Sequence, residues 1–367
     1  MYIWQRRGWP ALRWQADRLL EPLAAARMEQ GRLLGAMAGL GFDLKREAQL
    51  QALTEEVIKS SEIEGETLDR AGVRSSLARR LGIDEAGVAR PDRRIDGIVE
   101  MTLDAIRNYA SPLTPARLFG WQAALFPTGY SGMHRVRTGA WRDDSQGPMQ
   151  VVSGPIGRRR VHYEAPPADR LEREISRFLD WFNDPPPIDG VLRAGVAHLW
   201  FVTIHPFEDG NGRIARAIAD QALAQSEVSA QRFYSMSSQI RLERAEYYKM
   251  LERTQRGDTE VTDWLNWFLA CFTRAIRASE AVRAGVLRKA AFWHRHAAQA
   301  LGDRQRRVLN RYLDGFEGNL TARKWAAMTK VSIPTAQRDI NDLVERGILL
   351  RNPGGSKNTS YALVPEE

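Results

Sequence analysis

The stretch His205-Pro206-Phe207-Glu208-Asp209-Gly210-Asn211-Gly212-Arg213-Ile214-Ala215-Arg216 decides the reading of this chain, because it interrupts two helical patterns with a cluster of chemistry-bearing residues. Leu192 to Ile204 runs apolar into it, and Ile214 to Gln225 leads away with helical spacing. Proline disfavours the α region for the residue before it, so His205 is expected where the first helix ends, projecting from a loop as a base could. Gly210, Asn211 and Gly212 tolerate backbone angles that turn successive N–H groups inward, and they open a helix whose N-terminal dipole favours anions. Arg213 and Arg216 stand three residues apart in that helix's first turn, so both guanidinium groups can face one anion. The dipole opposes cations at this end, and two arginines there point to a bound polyanion. Asp209 adds a hard carboxylate oxygen suited to magnesium shared with phosphate oxygens. The run amounts to a base, a metal ligand and a phosphate cradle.

Other uses of these residues fail on spacing. A calcium loop starting at Asp209 would put Ile214 where glycine is required. Neither Gly-x-x-x-x-Gly-Lys-Ser/Thr nor His-Glu-x-x-His occurs, and His198, seven residues before His205, reads as a core residue.

Working outward, helical spacing predicts a helical hairpin opening the chain over 14–40, with Leu19, Leu20, Leu23 and Met28 as its apolar positions. A helix over about 45–66 follows, in which Leu50, Leu53 and Val57 share a face and Gly65 offers a stop. Further helices are expected at about 93–109, 114–126 and 168–183, and through most of 185–280. Gly147 to Ala165 reads as a hairpin around Gly154-Pro155-Ile156-Gly157, the one clear β element before the C-terminus. Past a boundary near Leu301, Thr321–Lys330 and Pro334–Arg346 read as two helices joined by Val331-Ser332-Ile333, with a hairpin over Leu349–Leu363 around Gly354-Gly355. This gives a mainly α fold in three parts, 1–90, 91–280 and 301–367.

The 367 residues carry a net charge of +8, spread along the chain, which favours phosphate-bearing partners without choosing among them. Cys271 is the sole cysteine, so an internal disulfide or a thiolate zinc site is ruled out, and no apolar stretch is long enough to cross a bilayer. A cytoplasmic setting fits these features.

The run 205–216 resembles the signature of Fic-domain protein adenylyltransferases, His-Pro-Phe-x-Asp/Glu-Gly-Asn-Gly-Arg-x-x-Arg, and matches each specified position. The resemblance extends over roughly 90–280 and includes the hairpin, which looks like the family's target-positioning flap, with Arg158, Arg159 and Arg160 as its basic edge. It implies transfer of AMP from ATP to a hydroxyl side chain of a target protein, self-modification included, with release of pyrophosphate. His205 would be the general base and Asp209 the magnesium ligand. Gly210 to Gly212, the Asn211 side chain and Arg213 would stabilise phosphate charge, and Arg216 would hold the γ-phosphate. Tyr247 or Tyr248 would lie at the adenine or ribose edge, while Trp264 and Trp267 read as core.

Ser60-Ser61-Glu62-Ile63-Glu64-Gly65 is similar to the family's inhibitory motif, Ser/Thr-x-x-x-Glu-Gly/Asn. Ser60 and Glu64 lie one helical turn apart, and Glu64 paired with Arg216 would keep that arginine from the γ-phosphate. The C-terminal pattern resembles a winged helix-turn-helix with Thr335, Gln337 and Arg338 at the end that would meet a DNA groove. Its 11 basic and 8 acidic residues over 303–367 suit a protein contact as well as DNA. The sequence leaves open the reverse reaction, removal of AMP at the same site, a DNA-binding regulator with a nucleotide-sensing core, and assembly as a homodimer.

Overall fold

The computed structural model describes residues 1–83, 93–145, 147–154, 158–313, 315–316, 318–353 and 359–365. The chain enters through helices α1 (Ala16–Ala38), α2 (Phe42–Ile63), α3 (Arg70–Leu81), α4 (Arg93–Arg107) and α5 (Pro115–Leu125). Two small antiparallel pairs follow, β1 (Tyr130–Ser131) with β2 (His134–Arg135) and β3 (Gln150–Ser153) with β4 (Arg160–Glu164). Then come α6 (Leu171–Asn183), α7 (Gly190–Ile204), α8 (Asn211–Glu227), α9 (Met236–Leu242), α10 (Arg244–Gln255) and α11 (Thr262–Arg295). The chain continues with α12 (Asp303–Leu313), α13 (Ala322–Thr329), α14 (Ile333–Glu345) and the antiparallel pair β5 (Leu349–Arg351) and β6 (Tyr361–Leu363). Contacts divide it into two compact units, Met1–Val282 and Arg283–Glu367.

In the first unit α7 is apolar on all sides and buried along nearly its whole length, as a helix without a polar face must be. Asp189 caps it, accepting a hydrogen bond from the Val191 N–H at 2.8 Å. Its neighbour α8 packs along it, and α2 packs against α3, α4, α8 and α9. The stretches expected as separate parts, 1–90 and 91–280, thus lie in one unit up to residue 282.

Residues 14–40 hold one helix, α1, rather than a hairpin, and it continues through Pro22. Its buried side is Leu19, Ala26, Leu33 and Met37, whereas Leu20 and Met28 are exposed. The reason is polar pairing: Glu29 is buried there against Arg277, and Gln30 donates to Glu227. The sequence reading passed over α3, although Asp69 caps its start at 2.7 Å and Gly82, at φ 65°, ends it. It also passed over β1 and β2, too short to show a period. In the longer hairpin Val151 faces Tyr163 across a bulge between Val151 and Val152, and the expected turn at Pro155-Ile156-Gly157 lies outside the described residues.

In the second unit Val308, Leu309, Leu320, Trp325, Ile340 and Leu343 form the core, joined by Phe292 and Leu301. That is why the division falls within α11, ahead of the expected boundary near Leu301. Thr321 and Ser332 cap α13 and α14, as the residue types suggest. Leu349 faces Leu363 across β5 and β6, Leu320 bridges to Tyr361, and Gly354-Gly355 lie outside the described residues.

Candidate active site

His205 terminates α7 in the left-handed region, at φ 51° and ψ 58°, its N–H donating to the Phe201 carbonyl. The proline rule excluded the right-handed helix, and the structure takes the left-handed alternative rather than an extended one. The ring's Nδ1 lies 3.2 Å from the Val202 carbonyl, which can only accept, so Nδ1 carries the proton and Nε2 is left as an acceptor. Burial pushes the His205 pKa down to about 4, outweighing the hydrogen bond to Val202, which acts the other way. At neutral pH the imidazole is therefore an unprotonated base.

The turn that follows is stitched by a residue expected to do other work. Asn211 accepts from the Phe207 N–H at 3.0 Å and donates to the Phe207 carbonyl at 2.7 Å. Both ends of its amide thus brace the loop, one of the two Nδ2 hydrogens being used in doing so. Arg142, which sequence reasoning missed, is almost wholly buried and donates through Nε to the His205 carbonyl at 2.8 Å, while its backbone N–H bonds the Pro206 carbonyl. An arginine between Trp141 and Asp143-Asp144 carries no local pattern that separates it from a surface charge.

Gly210 caps α8 without a side-chain bond, at φ 90°, so the first N–H groups of that helix have no side-chain cap. A Cβ on Gly212 would collide with Glu64 Oε1, so the carboxylate of Glu64 rests directly on this glycine. Arg216, 3% exposed, donates to the Ser60 hydroxyl at 2.9 Å, the Ser60 carbonyl at 2.9 Å and Glu64 Oε1 at 2.8 Å. Arg213, 1% exposed, lies over the Phe126 ring and is 2.9 Å from Glu66 Oε2. Ser60, Glu64, Arg213 and Arg216 are thereby brought together, with Gly65 at φ 85° turning the chain just after α2. Glu66 was the second omission. No sequence spacing announces it, since Arg213 lies 147 residues away.

Asp209 is half exposed, its Oδ1 accepting from the Gly210 N–H at 2.6 Å and standing 3.9 Å from Arg213 Nη2. Among the described residues no three His, Cys, Asp or Glu side chains cluster as a metal cage. One open carboxylate beside a glycine cradle fits magnesium that takes its other oxygens from phosphate and water.

Tyr247 is buried and its hydroxyl engages His198 Nε2 at 2.8 Å, so it presents no face to a nucleotide. Tyr248 is 37% exposed, and its hydroxyl donates to the Ile63 carbonyl at the end of α2, beside Arg244 Nε at 2.7 Å. Burial, aided by Arg216, lowers the His198 pKa to about 3, as expected of a core histidine stacked on Trp264. Trp264 and Trp267 are core residues. On the hairpin Arg158 and Arg159 are exposed, whereas Arg160 pairs with Glu252, which also takes His162 Nδ1 at 2.7 Å. In the second unit Gln337 is tied to Tyr361 and Asn341, Thr335 to Ser332, and Arg338 is exposed.

Comparison with known proteins gives likenesses of family and fold. Residues 112–223 match the Fic/DOC family, and residues 2–83 match a domain of unknown function, DUF4172. The chain carries a Fic/DOC domain. Over 121 residues it is 31% identical to the protein adenylyltransferase Fic of Nematostella vectensis, covering 32% of this chain and 26% of that one. With the protein adenylyltransferase Fic of Culex quinquefasciatus it shares 25% over 245 residues, 66% of this chain and 44% of that one. The chain spans less than half the length of these curated relatives. The crystal structure of a Fic family protein from Desulfovibrio desulfuricans G20 superposes with a TM-score of 0.54 at 21% identity, over 95% of this chain and 97% of that one. The mainly helical Fic fold is thus shared, with the matched domain running from just before α5 through most of α8. Among the described residues no helix is long and apolar enough to cross a membrane.

Proposed function

We propose that this chain is a protein adenylyltransferase that moves AMP from ATP to a hydroxyl side chain of a target protein, and that Glu64 holds it in check by occupying Arg216. The observation that carries the proposal is the neutral His205, with Nε2 free to accept, in a turn that ends in an uncapped helix N-terminus flanked by two buried arginines. Nε2 takes the proton of the incoming hydroxyl, whose oxygen bonds the α-phosphorus as the bond to pyrophosphate breaks. The N–H groups of Gly210 to Gly212 and the Arg213 guanidinium balance charge on the phosphate oxygens, and Arg216 receives the γ-phosphate once Glu64 leaves it. Asp209 would hold magnesium, which when bound supplies charge neutralisation on the phosphates. Tyr248, the more exposed of the two tyrosines, would lie at the adenine or ribose edge.

The self-inhibitory part is supported by the contacts of Arg216 with Ser60 and Glu64 and by the seat of Glu64 on Gly212. The exposed Arg158 and Arg159 of the hairpin suit contact with a target protein. For the second unit we propose a winged helix-turn-helix whose exposed Arg338 contacts DNA or protein. The test is labelling of a cell lysate with α-labelled ATP by the native chain, by Glu64→Gly and by Glu64→Gly with His205→Ala. Label on protein that rises with the first change and vanishes with the second is the expected result; no label from Glu64→Gly sinks the proposal. Loss of label from premodified protein on adding the native chain identifies the reverse reaction.

A further inference from the structure

Two carboxylates, not one, sit on the arginines of the Fic/DOC turn. Gly65, in the left-handed region, folds the chain back at the end of α2, where the Glu64 and Glu66 N–H groups both bond the Ser61 carbonyl. The two acidic side chains therefore leave the same turn, matched to Arg216 and Arg213 one helical turn apart on α8. Glu66 has two partners: Oε2 lies 2.9 Å from Arg213 Nη1 and Oε1 lies 2.7 Å from Arg94 Nη2 at the start of α4. Arg213 is buried while Arg94 is about half exposed. Both active-site guanidinium groups also keep a buried nitrogen with no partner, Nε of Arg213 and Nη1 of Arg216. Buried, incompletely satisfied cations call for an anion.

We infer that Glu66 is a second inhibitory carboxylate, directed at Arg213, and that Arg94 holds it when a nucleotide takes its place. The inference rests on the proposed nucleotide site and deepens its regulation. The two carboxylates together carry a charge of about −2, the charge of a magnesium-bound nucleoside triphosphate, so ligand and inhibitor exchange at nearly constant local charge. A triphosphate must then displace one carboxylate from each arginine. Among the described residues Glu64 has no second ion-pair partner to receive it and swings away, whereas Glu66 lets go of Arg213 while keeping its bond to Arg94. Removing Glu64 alone accordingly leaves half of the block in place.

The experiment measures ATP and AMP affinity by calorimetry, independently of any transfer, for the full chain and for Glu64→Gly, Glu66→Gln, the two combined, and Arg94→Ala, with melting temperatures to establish folding. Glu66→Gln should tighten ATP about five-fold in the native chain and again in the Glu64→Gly background, as loss of one competing ion pair worth about tenfold or less would do. AMP, lacking the distal phosphates, should respond less. Arg94→Ala should weaken ATP by a similar factor, because Glu66 then has Arg213 alone. Unchanged ATP affinity in Glu66→Gln, with Glu64→Gly still tighter, overturns the inference and leaves the proposed function standing. Absence of ATP binding in all variants overturns the nucleotide site itself, and the inference with it. Should Glu66→Gln melt early, Glu66→Asp, which keeps the charge and shortens the reach, is expected to tighten ATP in the same direction.

Discussion

Two helix-turn-helix segments in this molecule use the same backbone device to different ends. In α7–α8 the first helix closes on left-handed His205, at φ 51°; in α13–α14 it closes on left-handed Lys330, at φ 54°. A proline lies near each turn, Pro206 after His205 and Pro334 inside the first turn of α14. The second helices differ at their starts. Ser332 caps α14 with its hydroxyl, whereas Gly210 brings no side chain to α8. One helix N-terminus is capped by the residue just before it, and the other has the Glu64 carboxylate from the end of α2 seated on Gly212, where an anion is favoured. The charges differ likewise. Arg216 is buried and finds Glu64 across 152 residues of sequence, while exposed Arg338 finds Thr335 three residues away. A turn becomes a site when its satisfaction is deferred to distant groups or to a ligand.

The sharpest way to break this comparison is to remove the left-handed histidine side chain. His205→Ala in the Glu64→Gly background should lower AMP transfer about 10²-fold or more, with ATP affinity and melting temperature retained. Transfer near the parent's rate in a folded variant would leave the two turns alike.

Deferred satisfaction is tested next by a double-mutant cycle on Glu64→Gly and Arg216→Ala. Sharing one buried contact, they should couple by about 1–3 kcal/mol in transfer measured across ATP concentrations, Arg216→Ala being poorly active with or without Glu64. Additive effects would show that the contact of Glu64 with Arg216 does not govern transfer.

A smaller effect concerns pH. With His205 as the proposed base its neutral form is the active one, and burial lowers its pKa to about 4, so activity should be lost only as pH falls through that value. Transfer by Glu64→Gly should hold steady from neutral pH down past the ordinary histidine value of 6.5. Half-loss at that ordinary value would show a solvated imidazole, like one on an open turn.

The smallest effects belong to the second turn. Ser332→Ala should cost α14 about 1 kcal/mol, read as a several-fold loss of amide-exchange protection over 333–345. Arg338→Ala should cost less than about 0.5 kcal/mol and leave AMP transfer unchanged.

Much of the helical order was legible because apolar spacing and caps are local: Leu50, Leu53 and Val57 are buried together, and Thr321 and Ser332 cap the helices they precede. Where the reading went astray, distant partners decided. Met28 looked like core and is exposed, while Glu29 is buried because Arg277 meets it across 248 residues.

The sequence by itself determined the chemistry on offer along 205–216: a histidine forced out of a helix by proline, glycines that open a helix N-terminus, and two arginines on one turn. These follow from bond geometry within a few residues. Only the tertiary structure decided what each group faces. It buried Arg142 against the His205 and Pro206 carbonyls and laid Glu64 and Glu66 on Arg216 and Arg213. Hydrogen bonds and ion pairs act over a few ångströms of space regardless of separation along the chain, so pairs 147 and 152 residues apart have no spacing rule that could announce them.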